Sequence, residues 1–244
     1  MTSGSEISPS LLDALLRRER IIITARLLTG VVHNLSGAVQ MISLPLDLAQ
    51  LALDKGEVQK IGERIGSVRH GLERLMGEVN LLAMRSLNDQ RGAAETLDLS
   101  KLADEQLDFW RADLFFKHEV TLDRELPLSR ERANASYVDV ALALNSLLAN
   151  AVDAVRDLAE PRVVVRGLQQ DGYIGLEVSD NGPGPSEKMA AALFEPFAGD
   201  KGGAHQGLGL FLASKALEPW QGRVTWREGA SDTTFAIELP VIKA

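Results

Sequence analysis

The chain has 244 residues, 45% hydrophobic and 25% charged, with a formal net charge of −8 and no cysteine. This is the balance of a soluble globular protein long enough for one large domain or two small ones. The acidic surplus argues against nucleic acid as a bulk partner, and the lack of thiols excludes disulfides, thiolate metal sites and thiol catalysis.

The N-terminal MTSGSEISPS has no charged-then-apolar leader pattern, and Arg, His or Asp interrupts the apolar stretches. A cytoplasmic chain without a membrane segment is therefore expected. Ser8-Pro9 reads as an N-cap followed by proline at the first helical position. Apolar residues then recur at Leu28, Val32, Leu35, Val39, Ile42, Leu46, Ala49 and Leu53, and again at Ile61, Ile65, Val68, Leu72, Leu75, Val79 and Leu82. Steps of four and three make a heptad seam on each of two long helices, joined at Asp54-Lys55-Gly56. Such a hairpin, residues 8–90, leaves apolar surface uncovered, and a second copy would cover it in a four-helix bundle. Pro45 lies inside the first stripe and predicts a kink or local break.

After the polar linker NDQRGAAET the rhythm changes. LDLSKLADEQLDFWRADLFFKH reads as a short strand leading into a helix. VTLDREL, RVVVRGLQQ, YIGLEVSD, RVTWRE and TTFAIELP read as strands. YVDVALALNSLLANAVDAVRDL, SEKMAAALF and GLFLASKAL carry helical patterns between them. The fold class is α+β: a helical hairpin, then an α/β sandwich over 97–244 with one sheet covered by helices.

Several features of this second half could carry chemistry. Asn150 in LLANAVDA offers an amide oxygen that suits a hard cation such as Mg²⁺, although a buried Asn serves as readily as a structural hydrogen-bonder. EVSDNGPGPS sets Asp180, Gly182 and Gly184 straight after a strand, where a carboxylate can accept from an amino group and glycines permit close approach. The same residues also fit a plain Asx-type turn. FEPFAGDKGGAHQGLGLFLA is a glycine-rich loop that ends in a helix start, a place for phosphates with Lys201 adding charge, or simply a mobile loop.

In order and spacing, the Asn helix, strand–DNGPG, FEPF, Lys, GLGL and final strand resemble the ATP-binding domain of sensor histidine kinases, part of a wider family with gyrase and Hsp90. The resemblance covers about residues 97–240. It implies that Asn150 coordinates Mg²⁺, Asp180 reads adenine, and Gly182 and Gly184 line the base pocket. It further implies that Phe194 and Phe197 anchor a lid and that Lys201, Gly207 and Gly209 meet the phosphates of ATP. Departures are Ser146 for the first of two paired asparagines, His205 where glycine is usual, and Ser231-Asp232 for a late Gly-x-Gly.

In that setting GVVHNLSGAVQ acquires a meaning. Alone, His33 would be read as core filler or a surface residue. RERIIITARLLTGVVHNLSGAVQ, however, resembles the phosphoacceptor box of histidine kinases. His33 follows the seam position Val32, at the flank of the bundle, and a neutral imidazole is a competent nucleophile near neutral pH. His70, His118 and His205 are weaker candidates. Asn34 stands where the family carries an acid, and it can orient the ring but not take up its proton, so slow autophosphorylation is expected. Ala38-Val39 stand where Pro-Leu is usual, and Gly37 departs from the phosphatase pattern.

The resemblance implies a homodimeric histidine kinase that passes phosphate from ATP to His33 and on to an aspartate of a response-regulator receiver domain. The competing readings are a histidine phosphotransferase with a degenerate nucleotide domain and a binding module or ATPase of the wider family. Ser146 lacks the carboxylate such an ATPase uses to activate water. No sensor module is evident, so a signal is expected through the first twenty residues, a partner, or a region outside this chain.

Overall fold

The computed structural model describes residues 7–126, 132–198, 207–228 and 232–242. Helix α1 runs Pro9–Asp54, opened by the Ser8 hydroxyl, which accepts from the Leu11 N–H. Gly56, at a positive φ of 71°, closes the turn into α2, Val58–Asn88. The break expected at Pro45 does not occur, and α1 continues through it as helix. One missing backbone donor costs about 3 kcal/mol, and helix-forming residues on both sides together with packing on α2 outweigh it. The two helices meet closely where Gly71 faces α1, since a Cβ there would lie 2.8 Å from the Ile42 side chain.

Helix α1 uses two faces. Ile23, Leu27, Gly30, Val31 and Asn34 are buried against the second half of the chain. The heptad seam lies one residue on, about 100° around the helix. Its members Leu28, Val32, Val39, Leu46 and Leu53 are 48–60% exposed, as are Ile65, Leu72 and Val79 of α2 at 46–53%. One 18-residue window of α1 has a mean hydropathy of 1.3, long and apolar enough by composition to cross a membrane. This differs from the expectation that charged residues interrupt every such stretch, and 33% of the window is buried inside the protein.

The second half begins with β1 (Ala94–Leu97), which pairs antiparallel with β3 (Ala133–Ser136). Helices α3 (Leu99–Trp110) and α4 (Leu114–His118) lie between them in sequence with β2 (Thr121–Glu125), so the segment read as one helix forms two, and His118 ends the second. Next come α5 (Tyr137–Ala154), β4 (Arg162–Gln170) and β5 (Tyr173–Asp180). They are followed by α6 (Glu187–Ala190), α7 (Gly209–Leu217), β6 (Arg223–Glu228) and β7 (Thr233–Pro240). SEKMAAALF thus forms one helical turn rather than a full helix. The five-stranded sheet has the order β2-β4-β5-β7-β6, with β2–β4 parallel and the other pairs antiparallel. Helix α5 is its central cover, packed on β5 and β7 and flanked by α3 and α7. Leu144, Leu147 and Leu148 of α5 meet Leu176, Leu217, Ile237 and Trp110 in the core.

Candidate active site

The register of the sheet places the end of β5 opposite the start of β7, Asp180 beside Thr233. Asp180 is 3% exposed, and its Oδ1 accepts from the Gly182 N–H at 2.9 Å. Its second carboxyl oxygen takes no hydrogen bond from the described residues. Burial pushes this carboxyl up to about 6, against the pull of the Gly182 amide and with a further push from Asp232. Such a buried, partly satisfied carboxylate is a candidate binding position.

The two glycines have steric reasons. A Cβ on Gly182 would stand 2.7 Å from Asp180 Oδ1 and 2.8 Å from Ala154 Cβ. Gly184 has φ 67°, and a Cβ there would lie 2.7 Å from Thr233 Oγ1. Asn181 between them fixes the loop: its Oδ1 accepts from the Arg162 N–H and its Nδ2 donates to the Glu160 carbonyl, both at 2.8 Å. Arg162 in turn holds Asp232 at 2.9 Å. Sequence reasoning passed over Asn181 and Arg162 and met Asp232 only as a departure from the family pattern, because their pairing depends on strands distant in the chain.

The organising element is one face of α5. Ala154 backs Gly182, Asn150 lies one turn before it, and Ser146 one turn before that, since positions four apart share a face. Ser146 Cβ is 3.9 Å from where a Cβ of Gly209 would stand, at the first residue of α7. The face therefore runs about 12 Å, from the Asp180 loop to the start of α7. Asn150 is half-buried, and its side chain has no hydrogen bond to another described residue. The structural asparagine of this helix is instead its neighbour Asn145. Its Oδ1 accepts from Trp110 Nε1 at 2.7 Å, and its Nδ2 donates to Gln106 Oε1 at 2.8 Å. The Ser146 hydroxyl donates to the Leu142 carbonyl, so it offers little to a ligand.

At the far end, Leu208 caps α7 without a side-chain hydrogen bond, leaving first-turn N–H groups for another acceptor. Gly207 has φ 66°, and a Cβ there would come within 2.8–2.9 Å of the Ala198 backbone. Phe197, at φ 65°, is 66% exposed, so no lid-anchoring contact is evident there; Phe194 is partly exposed. Lys201 and His205 lie outside the described residues. Among the described residues no group of three His, Asp or Glu could hold a metal ion. A magnesium ion would depend on the Asn150 oxygen, waters and phosphate oxygens, an arrangement this cation accepts.

His33 is exposed on α1. Asn34 turns the other way: it is 5% exposed, and its Oδ1 accepts from Lys117 Nζ at 3.5 Å. The two residues do not share a face, and Asn34 is engaged by Lys117 rather than by the imidazole it was expected to orient.

Residues 136–243 match the family described as histidine kinase-, DNA gyrase B- and HSP90-like ATPase. Over 225 residues the chain is 27% identical to the C4-dicarboxylate transport sensor protein DctB of Rhizobium meliloti, covering 92% of this chain and 36% of that protein. It is 26% identical over 191 residues to the sensor histidine kinase GlnK of Bacillus subtilis, covering 76% and 45%. The chain thus spans less than half the length of either relative. Among solved structures, the catalytic domain of histidine kinase ThkA aligns with TM-score 0.54 and 20% identity, covering 60% of this chain and 95% of that one. Full-length ShkA in complex with AMPPNP aligns with TM-score 0.55 and 18% identity, covering 98% of this chain and 47% of that one. The second half therefore has the fold of histidine kinase catalytic domains and carries the match to the histidine kinase-, DNA gyrase B- and HSP90-like ATPases. With its N-terminal helices, the chain resembles the catalytic core of sensor histidine kinases.

Proposed function

We propose that this protein is an ATP-dependent protein-histidine kinase that phosphorylates His33 and then passes the phosphoryl group to an aspartate of a response-regulator receiver domain. The observation that carries the reading is the Ser146–Asn150–Ala154 face of α5, strung between a buried carboxylate with an open oxygen and the uncapped start of α7. Its length of about 12 Å suits a nucleotide with adenine at Asp180 and phosphates at Gly207 and Gly209. The side-chain oxygen of Asn150 would hold Mg²⁺, which when bound neutralises phosphate charge.

In the first step an unprotonated imidazole nitrogen of His33 bonds to the γ-phosphorus as the bond to the ADP oxygen breaks. The remaining ring N–H proton leaves to solvent. In the second step a receiver carboxylate oxygen takes the phosphoryl group as the N–P bond breaks, and the ring takes up a proton from solvent, so the neutral imidazole returns. The chain's contribution is positioning and charge, the usual means of phosphoryl transfer. The exposed seam residues of α1 and α2 support a homodimer in which a second hairpin covers them. ATP as donor favours a cytoplasmic setting for the reaction.

The test is incubation of the full chain with γ-labelled ATP and Mg²⁺. Acid-labile, alkali-stable label is expected on the wild type and absent from His33→Gln. Label persisting in His33→Gln refutes the assignment of the phosphoacceptor. A wild type that binds no nucleotide, yet accepts phosphate from a phosphorylated receiver domain, would favour the phosphotransferase reading, to which Ser146 lends support.

A further inference from the structure

Glu19 lies on α1, 7% exposed, with its Oε1 3.8 Å from where a Cβ of Gly209 would stand. That point is also 3.9 Å from Ser146 Cβ. The carboxylate therefore lies against the first residue of α7, a helix whose N-cap supplies no side-chain acceptor. This is the end of the α5 face assigned above to the phosphates.

Docking of α1 brings the carboxylate there. Leu12, Leu15 and Leu16 pack on Leu208, Phe211 and Leu212, and Ile23 packs on Leu142 and Ala216. Arg20 pairs with Asp139 at 2.9 Å, and Trp220 Nε1 donates to the same carboxylate at 3.0 Å. Arg26 pairs with Asp153 at 3.0 Å and lies over the Trp110 ring. Gly30 lets the backbones touch, since a Cβ there would lie 1.5 Å from the Ala112 carbonyl oxygen. The polar part of the contact is incomplete: the buried Nε of Arg20 has no hydrogen-bond partner among the described residues. An imperfectly satisfied interface is one that can open.

The same docking fixes a distance. His33 is fourteen residues along α1 from Glu19, about 21 Å at 1.5 Å per residue. The start of α7, held beside Glu19, is thus far from the residue to be phosphorylated.

We propose that residues 9–31 of α1 form an autoinhibitory strap, in which the Glu19 carboxylate takes the place of the nucleotide phosphates at the start of α7. The proposal rests on the nucleotide reading given above. Docking and binding of a triphosphate exclude each other at one point, while the adenine end, at Asp180, is left open. Phosphate arrival displaces Glu19, loosens the strap and frees the ATPase domain to travel toward His33. One event thereby fills the pocket and releases the restraint.

The experiment is calorimetry on the full chain with Mg²⁺-ATP and, separately, with adenosine. It compares wild type, Glu19→Gln and Arg20→Gln. Glu19→Gln keeps shape and removes charge; Arg20→Gln weakens the strap without touching the pocket. Both variants are expected to bind ATP about three- to thirtyfold more tightly, the range a carboxylate on a first helical turn supports. Adenosine affinity is expected to be equal in all three proteins. Unchanged or weaker ATP binding by Glu19→Gln overturns the proposal and makes Glu19 a helix cap or a ligand of the phosphate site. Equal gains for adenosine and ATP also overturn it, because the strap would then cover the whole pocket. If no protein binds either ligand, the nucleotide reading itself falls.

Discussion

Asp180→Asn separates a functional carboxylate from an ordinary turn residue. Burial lifts this carboxyl from 3.8 to about 6, with the Gly182 amide opposing and Asp232 adding to the rise. An acid that is weaker when folded binds protons preferentially in the folded state, so its ionisation opposes folding. The penalty is absent well below 3.8, grows between 3.8 and about 6, and stays constant above. A rise of that size corresponds to about 3 kcal/mol. Asparagine removes the charge at nearly constant shape but is a weaker acceptor for the Gly182 N–H, returning about 1 kcal/mol. The variant should therefore be about 2 kcal/mol more stable at pH 8, about 4–8 °C in melting temperature. Thermal melts followed by circular dichroism from pH 4 to pH 8 should show the gap opening up to about pH 6 and then holding level. Adenosine binding should meanwhile be lost, because the amide presents a donor where an acceptor is needed. A gap that does not change with pH, or a variant less stable at pH 8, would refute the reasoning and leave Asp180 as a turn residue.

Leu72, 46% exposed on α2, should hold the dimer: Leu72→Glu is expected to give a monomer by light scattering at micromolar concentration, with helix content unchanged. Gly207→Ala places a Cβ at positive φ and against the Ala198 backbone, so it should cost about 1–3 kcal/mol locally and weaken ATP binding more than adenosine binding in calorimetry. Asn34→Glu puts a carboxylate opposite Lys117 rather than beside His33, so initial labelling at saturating ATP should be no faster than in wild type. A faster rate would show that position 34 reaches the imidazole.

The halves of this fold differ in how openly the sequence displays them. Strands such as YIGLEVSD and TTFAIELP carry enough β-branched and alternating character to be read directly, and they sit where expected. The DNGPG and GLGL glycines were legible because backbone constraint selects residue type at single positions, as the contacts of Gly182 and Gly207 show. Partners set by tertiary packing were not legible. The Arg162–Asp232 pair spans 70 residues, and Arg20–Asp139 spans 119. Asn145 and Asn150 could not be sorted by sequence, since both lie on an apolar helix. Only the positions of Trp110 and Gln106 show which one is spoken for.

The first helix was half legible for a different reason. Heptad reading assigns each apolar residue to a single stripe, and here two stripes overlap with an offset of one residue: Leu27, Val31 and Ala38 against Leu28, Val32 and Val39. A helix that is apolar over so wide an arc looks in composition like a membrane span, and α1 passes that test by length and hydropathy. The polar residues resolve the ambiguity. Arg20, Arg26 and Asn34 are on the inward stripe, and each meets a charged side chain of the ATPase domain. His33 falls on the outward side, next to the seam. One helix therefore carries His33, the proposed phosphoacceptor, on one side and the surface that docks on the second half of the chain on the other. Any rotation or bending of α1 that tightens one face must disturb the other, so in the proposed dimer the helix would couple packing of the seam to release of the docked domain.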